Sequence, residues 1–374
     1  MKHKSFSILY GIVLFAMASS FAIAEMNVLK TMEREFQAIV QSVKPAVVEV
    51  VASFSVPERQ ADAGIFPLDS GVSRPFAEDS QKTVHFQNIG SGTLIDSEGY
   101  IVTTRAVVDG ADEIEVVFGN GQRSSAELAG IDRLTDIAVL ALKEDYSLQT
   151  KIGDSDQVHT GAWVITVGSS FGHAPTLSFG IVSGSETLPN LPYDAIKVNV
   201  AVNPGNSGGA VVNTSGEIIG IITAALAEPY FTPLSHTPSS PKLPGDQYAV
   251  SRVRPSEGNV WMDNEIGFAI PIKTVKTVAD QLIRDGKVRR GWLGVEILQD
   301  DLGVRINKVL EDTPAQNAGL VAQDIITEFK GVPIHTRWEL QKLVANSNPN
   351  TPVTIKIQRG KKTLERRVIL GERE

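Results

Sequence analysis

Apolar and polar positions alternate along residues 46–226 in short runs that are rich in Val, Ile and Thr. Gly, Asn, Asp and Ser separate these runs at intervals of roughly 8–12 residues, a spacing that predicts β-strands joined by turns. The predicted strands are residues 46–52, 91–95, 101–104, 114–118, 137–142, 163–167, 196–202, 210–212 and 218–222. Many short strands at such intervals are typical of an all-β sandwich or barrel.

The connections between these runs carry signals of their own. Asn120-Gly121 and Ser215-Gly216 each stand between apolar runs and predict tight hairpins, because such dipeptides tolerate the positive φ of a two-residue turn. Residues 55–86 and 228–258 follow neither the strand period nor the helix period, and the second stretch is rich in proline. Both stretches are predicted to be exposed loops.

Helical spacing of apolar residues occurs in two places. The first predicts a short amphipathic helix before the first strand, and its apolar residues are Leu29, Met32, Phe36 and Ile39. The second covers residues 272–283, ends at Gly286 and predicts a connecting helix. Residues 291–374 then predict a small α/β unit, with strands near 294–298, 305–309, 353–358 and 364–370 and a helix near 336–346.

The N-terminus has the order of a secretory signal peptide. Lys2 and Lys4 precede an apolar stretch, and Ala22-Ile23-Ala24 supplies the small-x-small cleavage pattern before Glu25. An uncleaved anchor is the alternative, because the charge-free run over residues 5–24 is just long enough to span a bilayer. Either alternative predicts that the body of the chain lies outside the cytoplasm.

Composition narrows the chemistry. The 374 residues, 42% hydrophobic and 21% charged, indicate two or three ordinary globular domains. A formal net charge of −8 without a basic cluster argues against nucleic acid as a partner. The chain has no cysteine, which excludes thiolate nucleophiles and Cys-ligated metals, so any nucleophile is an oxygen or nitrogen atom. We predict neither a metal nor a cofactor.

The most specific chemical motif is Asn203-Pro204-Gly205-Asn206-Ser207-Gly208-Gly209. Glycines on both sides of Ser207 permit a tight turn with an exposed hydroxyl. The backbone N–H groups of Gly205 and Ser207 can then point together at a developing acyl oxyanion. This pattern indicates acyl transfer, and a Gly-rich turn that merely contains a serine is the alternative.

Further motifs, in the same order along the chain, resemble those of the HtrA (Deg) family of extracytoplasmic serine proteases. They are Gly90-Ser91-Gly92, Gly99-Tyr100-Ile101-Val102-Thr103, Leu134-Thr135-Asp136-Ile137-Ala138-Val139-Leu140 and Gly267-Phe268-Ala269-Ile270-Pro271, with the Ser207 motif before the last of these. The resemblance implies a mainly β fold, a chymotrypsin-like or trypsin-like double β-barrel followed by a small α/β PDZ domain. It also implies that Ser207 is the nucleophile, that Asp136 orients the base, and that Gly205 and Ser207 form the oxyanion hole.

The chain departs from the family at the general base. The family continues as Thr-Asn-x-His-Val-Val where this chain has Thr103-Thr104-Arg105-Ala106-Val107-Val108, so Ala106 stands at the histidine position. A methyl group accepts no proton, and the guanidinium of Arg105 stays protonated up to about pH 12. Alternation along an extended segment predicts that Arg105 points away from Ser207.

Two expectations follow from this substitution. Proteolysis should be lost or strongly weakened, because Ser207 lacks the base that would activate it. The carboxyl of Asp136 should either have a raised pKa or contact another donor in place of an imidazole.

The rival hypothesis is an active serine endopeptidase that uses a displaced base. The histidines that remain after the signal segment are His85, His159, His173, His236 and His335. His173, in the turn Phe171-Gly172-His173, is the least remote candidate, and it must come within hydrogen-bond reach of Ser207. A sequencing error at Arg105-Ala106 is a third hypothesis, which resequencing of the gene tests.

The segment Gly291-Trp292-Leu293-Gly294-Val295 resembles the carboxylate-binding loop of HtrA-type PDZ domains. The resemblance implies that backbone N–H groups of this loop bind the C-terminal carboxylate of a peptide. The strand that follows would pair with the peptide, and a helix over residues 337–346 would form the opposite wall. Trp292 and Leu293 as ordinary core residues are the alternative. Gln323-Asp324 departs from the family's usual Gly-Asp.

The expected organisation is a signal segment over residues 1–24, a trypsin-like domain over 25–271 with the Pro-rich loop 228–258, a linker helix over 272–290, and a PDZ domain over 291–374. The resemblance implies a periplasmic or secreted protein of protein quality control, anchored in the inner membrane if the signal segment is not cleaved. The expected partners are unfolded or misfolded polypeptides and peptide C-termini. The expected assembly is a homotrimer or a mixed oligomer.

Overall fold

The computed structural model describes residues 28–57, 74–79, 83–143, 150–169, 175–189, 191–203, 205–223 and 266–372. The predicted signal segment and the Pro-rich loop 228–258 lie outside these ranges. None of the helices within the ranges is both long and apolar enough to cross a membrane.

The first barrel follows helix α1 (residues 28–43) and a 3₁₀ turn (Lys44–Ala46). Its strands are β1 (Val47–Pro57), β2 (Arg74–Asp79), β3 (Thr83–Leu94), β4 (Tyr100–Thr104), β5 (Glu113–Val117), β6 (Arg123–Asp132) and β7 (Ile137–Leu142), and a helical turn α2 (Arg105–Val108) follows β4. Strand β1 pairs antiparallel with both β3 and β5, so six strands close in the order β1-β5-β6-β7-β4-β3, and β2 extends the sheet beyond β3.

The predicted loop over residues 55–86 is wrong in part. Strand β1 continues to Pro57, β2 covers Arg74–Asp79, and β3 already begins at Thr83. The pairing of β3 with β1 on one side and β2 on the other supplies the backbone hydrogen bonds of these strands. The alternation of apolar and polar residues within one segment does not show which distant strand will pair with it.

The second barrel consists of β8 (Trp163–Gly168), β9 (Thr176–Thr187), β10 (Asp194–Asn199), β11 (Ala210–Val212), β12 (Ile218–Thr223) and β13 (Ile266–Pro271). A 3₁₀ turn (Ser155–Gln157) precedes it, and the strands close in the order β10-β13-β12-β11-β8-β9. The sequence prediction misses strand β9, although Leu177, Phe179 and Ile181 recur at the strand period; these three side chains are exposed in the structure.

Helix α3 (Ile272–Asp285) occupies the place where the connecting helix was predicted. Its apolar stripe contributes Val275, Val278 and Leu282 to a core that also contains residues of both barrels. The helix ends at Gly286, whose φ of 68° is left-handed and whose N–H donates to Leu282 O at 2.9 Å. The helix therefore packs against both barrels.

The C-terminal unit contains β14 (Gly291–Trp292), β15 (Val295–Asp300), β16 (Gly303–Val309), α4 (Pro314–Asn317), β17 (Ile325–Phe329), β18 (Val332–Pro333), α5 (Arg337–Ala345), β19 (Pro352–Arg359), β20 (Lys362–Ile369) and β21 (Gly371–Glu372). Its main sheet has the order β15-β16-β17-β19-β20, so β15 is an edge strand. Helix α5 begins with a capping box between Thr336 and Glu339. The predicted strands and helix are confirmed, with shifts of a few residues at their ends.

Candidate functional site

The Ser207 loop of the second barrel is held against strand β3 of the first. The N–H of Ser91 donates to Ser207 O at 2.9 Å, and the Ser91 hydroxyl donates to Gly205 O at 2.6 Å. The Thr93 hydroxyl donates to Gly208 O at 2.9 Å. Three carbonyl groups of the loop therefore have fixed partners on one strand of the other barrel.

This close approach explains the glycines of the motif. Gly208 has a φ of +90°, and a Cβ at this position would lie 1.9 Å from Ser91 O. A Cβ on Gly209 would lie 2.5 Å from Val167 O. Only residues without a side chain allow the loop to lie this close to both barrels.

Asp136 lies at the start of β7, in a turn with a left-handed φ of 61°. Its carboxylate is buried and accepts two hydrogen bonds, from Ala106 N–H to Oδ1 at 3.3 Å and from the Thr223 hydroxyl to Oδ2 at 3.2 Å. Its carbonyl accepts the N–H of Arg105 at 2.8 Å. The contacts direct the carboxylate at residue 106.

Strand alternation predicts that Arg105 points away from Ser207, but this prediction assumes an extended segment, and the assumption is wrong. The chain is extended only to Thr104, and α2 begins at Arg105, so strand alternation does not apply. The guanidinium Nε lies 3.5 Å from Asp136 Oδ1, and a terminal nitrogen donates to Asp109 at 2.9 Å. Arg105 therefore supplies positive charge beside Asp136, but it offers no lone pair for a proton.

The pKa of Asp136 is raised, as the sequence predicts. Burial is the main cause, because it disfavours the charged carboxylate. The charge of Arg105 and the hydrogen bonds from Thr223 and Ala106 act in the opposite direction without cancelling it. Burial is also the main cause of a raised pKa of Tyr193, and the carboxylates of Asp136 and Asp132 add to it, so this phenol stays neutral.

Ser207 and Asp136 are linked through a series of contacts between the segments that lie between them. Ser91, which bonds the Ser207 carbonyl, also accepts a hydrogen bond at its own carbonyl from the Thr103 hydroxyl at 2.7 Å. Thr103 is three residues from Ala106, whose N–H contacts Asp136. Ser207 itself is only 1% exposed, so the exposed hydroxyl expected from the flanking glycines is not found.

The histidines that the structure describes lie in other surroundings. His85 is on β3, where its Nδ1 lies 3.0 Å from the hydroxyl of Ser55 on β1. His159 is in an exposed turn before β8, and His335 precedes α5. His173 and His236 lie outside the described residues. Among the described residues, no group of three His, Cys, Asp or Glu side chains could hold a metal ion.

The predicted carboxylate-binding loop joins β14 to β15. Leu293 is buried in the core of this unit, so the core interpretation holds for that side chain, whereas Trp292 is half-buried. Gly294 has a φ of +80°, and a Cβ there would lie 2.3 Å from Thr313. The carbonyls of Leu293 and Gly294 accept N–H groups of Ala315 and Leu310 at 3.0 Å each. The loop leads directly into the edge strand β15.

Sequence reasoning missed Thr223 and the role of Ser91. Ser91 lies within the motif Gly90-Ser91-Gly92, and this motif could have indicated a close backbone approach near Ser91. A Cβ on Gly90 would lie 2.4 Å from Val107. Thr223 ends a strand that the sequence predicts, but its partner Asp136 is 87 residues away. No local pattern indicates that contact.

Comparison with known proteins agrees with this geometry. Residues 90–221 match the model of the trypsin-like peptidase domain, and residues 291–370 match that of the PDZ domain. The chain is 32% identical to the "Probable periplasmic serine endoprotease DegP-like" of Marinomonas sp., over 93% of this chain and 73% of that protein. A protein of the same name from Pseudomonas putida is also 32% identical, over 90% and 70%.

Solved structures give the same result. The HtrA-type protease AlgW with a decapeptide has a TM-score of 0.66 and 26% identity, covering 90% of this chain and 98% of that chain. AlgW with a tripeptide also has a TM-score of 0.66 and 26% identity, with coverage of 90% and 96%. A serine endoprotease from Yersinia pestis has a TM-score of 0.62 and 26% identity, with coverage of 91% and 98%. The trypsin-like double barrel, the PDZ domain and a relative 32% identical over nearly the whole chain together make this protein a member of the HtrA/Deg family of serine proteases.

Proposed function

We propose that the protein is a periplasmic HtrA/Deg homologue of protein quality control that binds unfolded chains and peptide C-termini but cleaves them poorly or not at all. The observation that carries the proposal is the hydrogen bond from the N–H of residue 106 to Asp136 Oδ1. This contact aims the carboxylate at the position from which a base would act, and that position is alanine. The names of the relatives support the periplasmic location.

In this proposal the protein retains the nucleophile and the oxyanion hole. Ser207 is the nucleophile, Asp136 the orienting acid, and the N–H groups of Gly205 and Ser207 the oxyanion donors. Loss of the serine or the histidine from the triad of a serine protease with a different fold lowers kcat by about 10⁶, and oxyanion stabilisation and binding leave about 10³–10⁴ over the uncatalysed rate. Turnover at that level is too slow for a working protease.

Peptide binding is assigned to the PDZ domain. The loop Trp292–Val295 would bind the terminal carboxylate, and the free edge of β15 would pair with the peptide backbone. The AlgW structures with a decapeptide and with a tripeptide support peptide binding by this family member by analogy. We also propose the domain division given above, with residues 1–24 as a signal segment or membrane anchor.

An exposed aromatic cluster supports the proposed homotrimer or mixed oligomer. Phe36 of α1 lies against Phe179 and Trp163, with ring centroids 4.8 and 6.0 Å apart, and Phe179 is 53% exposed. Leu177 and Ile181 extend this apolar surface along β9. Light scattering of Phe179→Asp should show a smaller species than the wild type, whereas Val332→Asp, at an exposed apolar position in the PDZ domain, should not change the mass.

The decisive test restores the base. Purified Ala106→His should gain at least about 10³-fold in kcat/KM on casein, because only the proton acceptor is missing. Labelling by a fluorophosphonate should rise in parallel, and Ser207→Ala in the same background should abolish both signals. Robust turnover by the wild type that Ser207→Ala abolishes would instead establish the rival, an active endopeptidase with a displaced base.

A further inference from the structure

The proposed peptide groove lies between strand β15 and helix α5. Among the described residues, strand β15 pairs with β16 on one edge and with no strand on the other, and α5 packs beside β14, β15 and β16. Val295 and Ile297 of the strand and Leu343 of the helix touch the same core and remain partly exposed. An apolar side chain of a bound peptide would extend that contact.

One side chain spans the two walls at the end of β15 remote from Gly294. The Gln299 Nε2 donates to the carbonyl of His335 at 2.7 Å, and its Oε1 accepts the N–H of Arg337 at 3.0 Å. His335 and Arg337 flank the N-cap of α5. The amide therefore joins the end of the strand to the start of the helix through two hydrogen bonds.

The same amide also fixes the β15–β16 turn. Its Nε2 lies 3.1 Å from Asp300 O and 3.2 Å from Gly303 O. Although Gln299 is an exposed residue, both its nitrogen and its oxygen have partners. A surface glutamine whose whole amide is engaged by backbone groups of three segments acts as a structural link rather than as a solubilising group.

We propose that Gln299 is the positioning residue that sets the width of the peptide groove and closes its far end, so that the groove accepts a C-terminal segment of about four residues. The inference rests on the proposed function, since it assumes that the carboxylate binds at Leu293–Val295. A peptide running antiparallel to β15 places its last residue beside Val295 and advances one strand residue per peptide residue. Four residues bring it to Leu298, and Gln299 follows.

The test measures how affinity depends on peptide length. Fluorescein-labelled alanine-rich peptides of 3, 4, 6, 8 and 10 residues, each ending in Leu with a free carboxylate, are titrated with the full-length protein and followed by anisotropy. For the wild type, Kd should fall up to about four residues and stay constant beyond. Gln299→Ala should raise Kd for the four-residue peptide about tenfold, about 1.4 kcal/mol, and should let longer peptides recover part of that loss.

Two variants separate positioning from general stability. Gln299→Asn keeps the amide but is one methylene too short to span the walls, so it should behave like Gln299→Ala. Gln358→Ala is the matched control, because Gln358 bonds only the carbonyl of Gly360 on the β19–β20 hairpin among its described contacts. This variant should keep the wild-type length dependence.

The outcomes also separate this inference from the proposed function. Wild-type affinity that keeps increasing beyond six residues overturns the inference without any variant. If Gln299→Ala keeps the wild-type dependence of Kd on peptide length, the inference about Gln299 is overturned. If that variant still binds free-carboxylate peptides but not amidated ones, the proposed peptide binding remains intact. Equal affinity of the wild type for amidated and free-carboxylate peptides contradicts the proposed function itself.

Discussion

At the scale of single residues, the orientation of Asp136 depends on backbone more than on its neighbour's side chain. Its Oδ1 accepts the N–H of residue 106, and every residue except proline presents that group. The hydroxyl of Thr223 holds the other oxygen. The carboxylate therefore keeps its place with alanine at position 106. Burial raises its pKa, and no imidazolium is present at that position to offset this effect.

The raised pKa of Asp136 predicts a definite pH dependence of stability. Between the unfolded and folded pKa values the native state binds more protons than the unfolded state, so the contribution of this group to the unfolding free energy falls as pH rises. Asp136→Asn removes that titration. The wild-type unfolding free energy minus that of Asp136→Asn should decrease from about pH 4 upward, as measured by urea unfolding at a series of pH values.

Asp300 provides a control of opposite sign. A backbone hydrogen bond from Leu302 and the side chain of Arg305 lower its pKa, so its contribution is present above the unfolded pKa and is lost on acidification through the folded one. The wild-type unfolding free energy minus that of Asp300→Asn should therefore increase from acid towards neutral pH. A difference for Asp136→Asn that also increases with pH would refute the raised pKa of Asp136.

At the scale of elements, contact between the barrels depends on backbone approaching backbone. The 205–209 loop and strand β3 meet through hydrogen bonds of Ser91 and Thr93, and the glycines leave room for them. Polar carbonyls at this buried junction are thereby satisfied. The same contact fixes the backbone of Ser207 against strand β3.

Gly208→Ala tests this contact. The new Cβ would meet Ser91 O at 1.9 Å in addition to straining a φ of +90°, so the unfolding free energy should fall by more than about 3 kcal/mol. Gly216→Ala is the matched control: its φ is also positive, at +74°, but the nearest atom lies 3.3 Å away, and a loss of about 1–2 kcal/mol is expected. Equal losses in urea unfolding would show that the approach of the two barrels is unimportant.

At the scale of the whole molecule, several polar contacts join the PDZ domain and its linker to the barrels, and two of them are ion pairs of particular interest. Arg290 and Asp132 form a buried ion pair at 2.5 Å, and Asp132 also accepts the hydroxyl of Thr135, the neighbour of Asp136. Lys342 of α5 bonds both carboxylate oxygens of Asp194 at 2.7 and 2.8 Å. Burial raises the pKa of Asp194, but hydrogen bonds from Lys342 and Thr187 outweigh it, and the net pKa is lowered.

Arg290→Ala should be strongly destabilising. It leaves the carboxylate of Asp132 buried without its cation, at a cost of about 3–5 kcal/mol, and calorimetry should show the transition of the barrels at a lower temperature. Arg289→Ala is the matched control, because that adjacent side chain pairs with Glu372 at the surface and should change the transition little. Similar shifts for both variants would contradict a special role for the buried pair.

The sequence alone determined the features that depend on neighbouring residues. Strand alternation and turn dipeptides predicted most strands of both barrels, and apolar spacing predicted α3. These are local properties, because φ preferences and side-chain periods act over a few residues. The prediction of a loop over residues 55–86 was wrong at β2 and β3, because these strands form by pairing with each other.

Only the tertiary structure decided which distant groups meet. Thr223 reaches Asp136 across 87 residues, Ser91 reaches Gly205 across 114, and Gln299 reaches His335 across 36. Arg105 contacts Asp136 because the chain turns helical at that residue. The physical reason is that such hydrogen bonds form only after barrels close and domains dock, and the pattern of one short segment contains no information about its partner.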